Sequence, residues 1–142
     1  MANVIPNAFK GELLSGTHNF ASGGNSFKLA LYTSNPYDTS STAYSTTNEV
    51  SASGGSNYTT TGLVLQNQSV TTGATSFVDF DDLTFSSATF TAAFGAIYND
   101  TNSDKLCLLL DFGGSKTATN GDFKIVFPAT GTPANAIISL AS

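Results

Sequence analysis

Few side chains in this sequence could move a proton or hold a metal. It has one histidine, His18, one cysteine, Cys107, and ten carboxylates. Any acid–base step near neutral pH would lean on His18. No Ser, Cys or carboxylate motif surrounds it, and a triad needs three placed groups, so a helix-end or surface histidine is expected. One Cys and one His cannot make a zinc site. Cys107 stands among Leu106, Leu108, Leu109 and Leu110, the setting of a thiol buried as a small hydrophobe.

The carboxylates cluster twice. Asp100, Asn102 and Asp104 have the i, i+2, i+4 spacing that begins a calcium loop, and Asp111 falls where its last ligand would stand. Lys105 replaces the glycine needed at the sixth position, so an Asx-rich hairpin turn is the better reading. Asp79, Asp81 and Asp82 read as a strand end and solvated turn. Either group could be cast as the acid and base of a glycosidase, but no recognisable context supports that. Gly54-Gly55 and Gly113-Gly114 lead into no helix with a following Lys-Ser/Thr, so they are turns and not phosphate loops. No catalytic, cofactor-binding or metal residue is expected.

Composition narrows the partners. Only 11% of residues are charged, against about 25% in an ordinary domain. Ser and Thr take their place, as suits strand surfaces and turns. Net charge is −5, and the basic residues are five scattered lysines with no arginine. Phosphate neutralisation needs a basic stripe, so neither nucleic acid nor an anionic membrane is an expected partner. The lone cysteine gives no sign of an oxidising compartment. Residues 1–6 lack the basic and apolar regions of a signal peptide, and no stretch reaches membrane-span length. The expectation is a protein made and used in water.

The elements follow from periodicity. Residues 1–20 read as an N-terminal arm or short helix, with Pro6 in its first turn, Phe9, Leu13 and Leu14 on one face, and Gly16 closing it. Such a short helix must dock, either on its own domain or on a neighbouring subunit. Residues 21–142 read as one β-sandwich domain. Ser26–Thr33 alternates, with Phe27, Leu29 and Leu31 opposite Lys28, Ala30 and Tyr32. Residues 36–60 form a long polar loop, functional or packed against a partner, in which Thr46 and Glu49 have capping-box spacing for one helical turn.

Further strands are expected at Thr61–Gln66, Ser76–Phe80 and Leu83–Asn99. The last is interrupted at Ser86-Ser87, with a bulge or close approach at Gly95. Lys105–Phe112 places Leu106, Leu108, Leu110 and Phe112 on one face and Leu109 on the other, as in a central strand. A hairpin turn at Asn99–Asp104, a Gly/Thr loop over Gly113–Gly121, and strands at Asp122–Phe127 and Ala136–Ala141 complete the chain. The class is all-β, an antiparallel sandwich of jelly-roll-like type.

Several segments carry a resemblance: Asn7-Ala8-Phe9-Lys10 with Leu13-Leu14, Gly16 and His18, then Phe27–Ser34 and Ala43–Val50. Gly95–Asp100, Leu110–Gly114 and Gly121-Asp122-Phe123 continue it. Over nearly its whole length the chain resembles a family of small virion proteins of tailed bacteriophages. The resemblance implies no catalytic residue and no cofactor. It implies a virion structural protein, within which a capsid decoration (cement) protein on the head exterior is favoured. The partners would be the major capsid protein and copies of itself in a homotrimer. Phe9, Leu13, Leu14, Tyr37 and Tyr44 are the candidate interface residues. The alternative is a neck, tail or fibre adaptor or receptor-binding module, using tyrosines such as Tyr37, Tyr44 and Tyr58.

Overall fold

A computed structural model describes residues 3–128 and 133–141. The chain is all-β, two antiparallel sheets packed together, with one short N-terminal helix. Helix α1 covers Asn7–Leu14 and is followed by strands β1 (Phe27–Tyr32), β2 (Leu63–Val64), β3 (Ser69–Thr71) and β4 (Thr75–Asp79). The long hairpin of β5 (Leu83–Asn99) and β6 (Lys105–Ile125) comes next, then β7 (Ile138–Ala141). One sheet has the order β2-β1-β5-β6, the other β3-β4-β7.

Helix α1 ends as its sequence dictates. Gly16 takes φ 76°, Thr17 N–H donates to the Glu12 carbonyl at 2.9 Å, and Gly16 N–H to that of Leu13 at 3.3 Å. These are the paired bonds of a Schellman stop. At the start, Pro6 sits just before the first turn with φ −61°, where its missing N–H costs nothing.

Both faces of β1 are covered. Phe27, Leu29 and Leu31 enter the main core with Phe9, Phe20, Phe80 and Ile97, while Ala30 and Tyr32 join a second cluster with Tyr37, Tyr98 and Leu109. The 36–60 loop supplies part of that second cover, so it packs on its own domain. Thr46 to Glu49 forms a turn, with Glu49 N–H on the Thr46 carbonyl at 3.1 Å. The helical turn expected there is absent, because the Glu49 side chain is drawn to Tyr44 and Tyr58 instead.

The β5–β6 hairpin departs most from the sequence expectation. Beyond Leu110 the chain does not leave the sheet. Pairing runs through Thr91↔Thr117 and Phe85↔Phe123 to Leu83↔Ile125. The expected Gly/Thr loop is therefore a strand. Only Phe112–Ser115 bulge out opposite Ala93, where Gly113 and Gly114 adopt φ 73° and 132°. Ser86-Ser87 interrupts β5 as expected, with a register shift between Phe85 and Ala88. Gly95 keeps its register, and its role is close approach, since a β-carbon there would lie 3.1 Å from the Phe112 ring.

A further shift, Ile97↔Leu108 followed by Tyr98↔Leu106, leaves Cys107 as an inserted residue. Cys107 and Leu108 both reach the main core, while Leu106 and Leu109 face the second cluster. Leu106 thus lies opposite Leu108, against the simple alternation. β6 is also the last strand of its sheet and not a central one. Its outer edge is closed by bridges at Val4–Leu109 and Ala43–Lys105. Strand β3 gave no clear sequence signal, and Thr61–Gln66 shortens to Leu63–Val64.

Candidate interaction surface

His18, Cys107 and most of the candidate acids are held by the fold itself. His18 is buried and not on the surface. Its Nδ1 meets Asn99 Nδ2 at 3.0 Å. Asn99 Oδ1 accepts the N–H groups of Thr101 and Asn102 at 3.1 and 3.2 Å, which fixes its amide with the NH2 toward His18. Nδ1 is therefore an acceptor, and Nε2–H donates to Glu12 Oε2 at 2.9 Å. The other oxygen of Glu12 accepts from Lys105 Nζ at 2.7 Å. Burial works against the charge on Glu12, but the Lys105 and His18 bonds outweigh it and hold the carboxyl below its ordinary value.

Cys107 Sγ lies 3.8 Å from His18 Nδ1. This resembles half of a thiol dyad, but the side chain is sealed in the core. Burial, and then the charge of Glu12, push the thiol far above its ordinary range. A protonated thiol that nothing can reach is no nucleophile.

The acidic clusters are engaged separately. Asp100 pairs with Lys28 at 3.1 Å, and the Asn102 amide donates to the Thr17 carbonyl. Among the described residues no three metal-binding side chains converge. Asp82 pairs with Lys124 at 3.1 Å and accepts Phe127 N–H at 3.0 Å. Asp81 accepts from Asn67 at 2.6 Å.

The tyrosines belong to the interior. Tyr32 and Tyr37 share a hydroxyl bond of 2.7 Å, and Tyr37 Oη accepts Ser45 N–H at 2.8 Å. Tyr44, half-buried, stacks on Tyr98 at 4.7 Å. Its hydroxyl donates to Glu49 Oε2 at 2.6 Å, while Tyr58 Oη–H donates to Oε1 at 2.7 Å. Tyr58 Oη also accepts the N–H of Leu31 at 3.0 Å. The polar loop is thus strapped to β1 through a carboxylate and a ring of phenols. Of the five candidate interface residues, Phe9 and Tyr37 are buried in the protein's own clusters, and Tyr44 and Leu13 are half-covered. Leu14 alone stands free, 88% exposed.

Apolar surface gathers around Leu14. A recess of about 330 Å³ between α1 and β7 is bounded by Ile5, Leu13, Leu14, Ile138 and Leu140, with Lys10 at its margin. A second recess of about 320 Å³ adjoins it through Leu13, Ile138 and Leu140, and extends to Val70. Ile5, Val70 and Leu140 are 41%, 48% and 60% exposed. Contiguous apolar surface of this kind marks interaction sites. The sequence pointed to the α1 side but missed Ile5, Val70 and Leu140. From the sequence, Ala136–Ala141 reads as a last strand with no assignment of its faces, so the exposure of Leu140 was not foreseen. A larger hollow of about 520 Å³ lies in the bend of β6 over Phe112 and Phe123, with Lys116 and Asp122 on its rim.

No protein-family model, curated protein or solved structure matches this chain.

Proposed function

We propose that the chain is a structural protein of a tailed-phage virion. In this reading it is a capsid decoration (cement) protein that binds the outside of the head with the major capsid protein and stabilises the coat lattice as a homotrimer. The observation that carries the reading is the division of its surface. Catalytic-type side chains such as His18, Cys107, Glu12 and Glu49 are engaged internally, while exposed apolar side chains collect along α1, β3 and β7. That is the pattern of a protein that binds and does not turn over a substrate. The resemblance of segments such as Phe27–Ser34 and Gly95–Asp100 supports the virion setting.

The tyrosines lend the neck, tail or fibre reading little support, because Tyr37 and Tyr58 are buried and half-buried Tyr44 is bonded to Glu49 and stacked on Tyr98. Copy number tests the choice. Quantitative mass spectrometry of purified particles should find on the order of one copy per coat subunit, as lattice-wide binding requires. A ratio of a few per cent would reject decoration and assign the protein to the neck, tail or fibres. Particles without the protein would overturn the virion reading itself.

A further inference from the structure

Strand β6 is covered along only part of its outer edge. Val4 bridges Leu109 and Ala43 bridges Lys105, but past the bulge at Phe112–Ser115 the strand is still the last of its sheet. Among the described residues no backbone bond joins Lys116–Ile125 to any strand other than β5. Strands β3 and β7 also stand at edges, with Val70 and Leu140 exposed on them, but they are only 3 and 4 residues long. The far half of β6 is the longer unpaired ladder, and unpaired ladders accept further strands.

The hollow of about 520 Å³ lies against this edge, within the size range of sites that hold a ligand group. Asp122, Phe123, Lys124 and Ile125 all wall it. Successive strand residues face opposite ways, so four neighbours meet one hollow only where the strand presents its edge. Phe112 and Phe123, with ring centres 6.2 Å apart, make the floor.

Register fixes where the charges point. Lys116 pairs with Ala92 and Phe123 with Phe85, and both of those partners lie in the main core. Cross-strand pairs share a face, so Lys116 stands on the side of the hollow and Asp122, next to Phe123, on the opposite face. Both side chains are exposed. Neither has an ion pair or side-chain hydrogen bond among the described residues. A strand laid along β6 meets a cation on the hollow side and an anion on the other.

We propose that the outer edge of Lys116–Ile125 takes an extended segment of another protein as an added strand. The segment's backbone continues the ladder, and one large apolar side chain enters the hollow onto Phe112 and Phe123. An acidic side chain meets Lys116 on that same face, and a basic one meets Asp122 on the other. This deepens the reading above by giving the partner's chemistry, and rests on it only for placing that segment in the virion.

A capped synthetic peptide tests it. The peptide alternates threonine and valine around a central phenylalanine, with an aspartate on the phenylalanine's face toward one end and a lysine on the opposite face toward the other. NMR titration of the full chain should show saturable binding, with amide hydrogen exchange slowed along Lys116–Ile125. Lys116→Glu should weaken binding by up to about fivefold, and a peptide with lysine in place of its aspartate should recover the loss. Phe112→Ala, which removes part of the floor, should weaken it by about tenfold. Circular dichroism checks that each variant is folded. Lys116 is exposed, so its replacement leaves the core intact and decides the matter even if Phe112→Ala unfolds. No saturable binding, protection confined to other strands, or indifference to the charge swap would overturn the proposal. So would self-association in sedimentation equilibrium that Lys116→Glu abolishes, because the edge would then belong to a second copy. Particle copy number is a separate measurement. Peptide binding by a protein absent from virions keeps this edge site and removes the virion partner, while lattice-wide copy number without peptide binding does the reverse.

Discussion

His18 Nε2 lies 2.9 Å from Oε2 of Glu12, and that bond ties the helix to the β5–β6 hairpin. Glu12 belongs to α1, His18 to the segment leading into β1, and the histidine's other nitrogen is held by Asn99 at the end of β5. Lys105, the first residue of β6, completes the link. The N-terminal segment is therefore part of the domain, and not a strap that can be removed from it.

Glu12 gives the link an acid-sensitive component. Burial raises its pKa, but the bonds from Lys105 and His18 prevail, so the folded value lies below the ordinary 4.5. A depressed carboxyl stabilises the fold above the unfolded value and loses that contribution as pH falls through the folded one. Stability should therefore decline below pH 4.5, and Glu12→Gln should show a shallower decline. Urea midpoints from about pH 6 to about pH 3 measure this. Parallel curves for the two proteins would contradict it.

The phenols impose the opposite limit. Burial, helped by the Glu49 charge near Tyr44 and Tyr58, raises Tyr32, Tyr44, Tyr58 and Tyr98 above the ordinary 10.0. A group whose folded pKa is raised favours the fold below the unfolded value, and that stability drains away as pH rises beyond it. Alkaline unfolding should begin above pH 10.0, with tyrosinate absorbance rising together with loss of the circular dichroism signal. Ionisation of these tyrosines well before unfolding would show that they are not enclosed.

Tyr58 should matter through its hydroxyl as well as its ring. Tyr58→Phe keeps the contacts with Phe85 and Phe90 but strands the buried N–H of Leu31 and removes a donor to Glu49. The expected cost is about 2 kcal/mol by urea titration. Tyr44→Phe, at a half-exposed site, should cost less. An unchanged Tyr58→Phe midpoint would mean that the strap contributes nothing.

Phe9 and Leu14 share a helix but should behave oppositely. Phe9 is 2% exposed, whereas Leu14 is 88% exposed. Phe9→Ala should lose about 3–5 kcal/mol, and Leu14→Ala less than about 0.5 kcal/mol. Deletion of residues 1–16 should unfold the domain, since it removes Phe9, Glu12 and the Val4 bridge together. A folded deletion product would show the helix to be an appendage after all.

Much of the fold was legible because strands write their faces in a period of two. Phe27, Leu29 and Leu31 against Lys28, Ala30 and Tyr32 predicted the two faces of β1, and Gly16 predicted the end of α1. Period two failed at Cys107, where one inserted residue moves Leu106 to the face opposite Leu108. Nothing local marks that bulge, which exists only in the pairing with β5. The Gly/Thr stretch after Gly113 failed for a related reason. Its composition favours a loop, but the long partner β5 holds it in the ladder.

The sequence by itself determined the class, the helix stop, most strand positions, the burial of Cys107 and the lack of a basic surface, because each follows from local chemistry and alternation. Only the tertiary structure decided that His18 and the tyrosines are interior, that Glu49 straps the polar loop, and that β3 and β7 are left with open apolar edges. Burial and edge status depend on which distant segments come to lie alongside a strand, and that partnership is written in no single stretch of the chain.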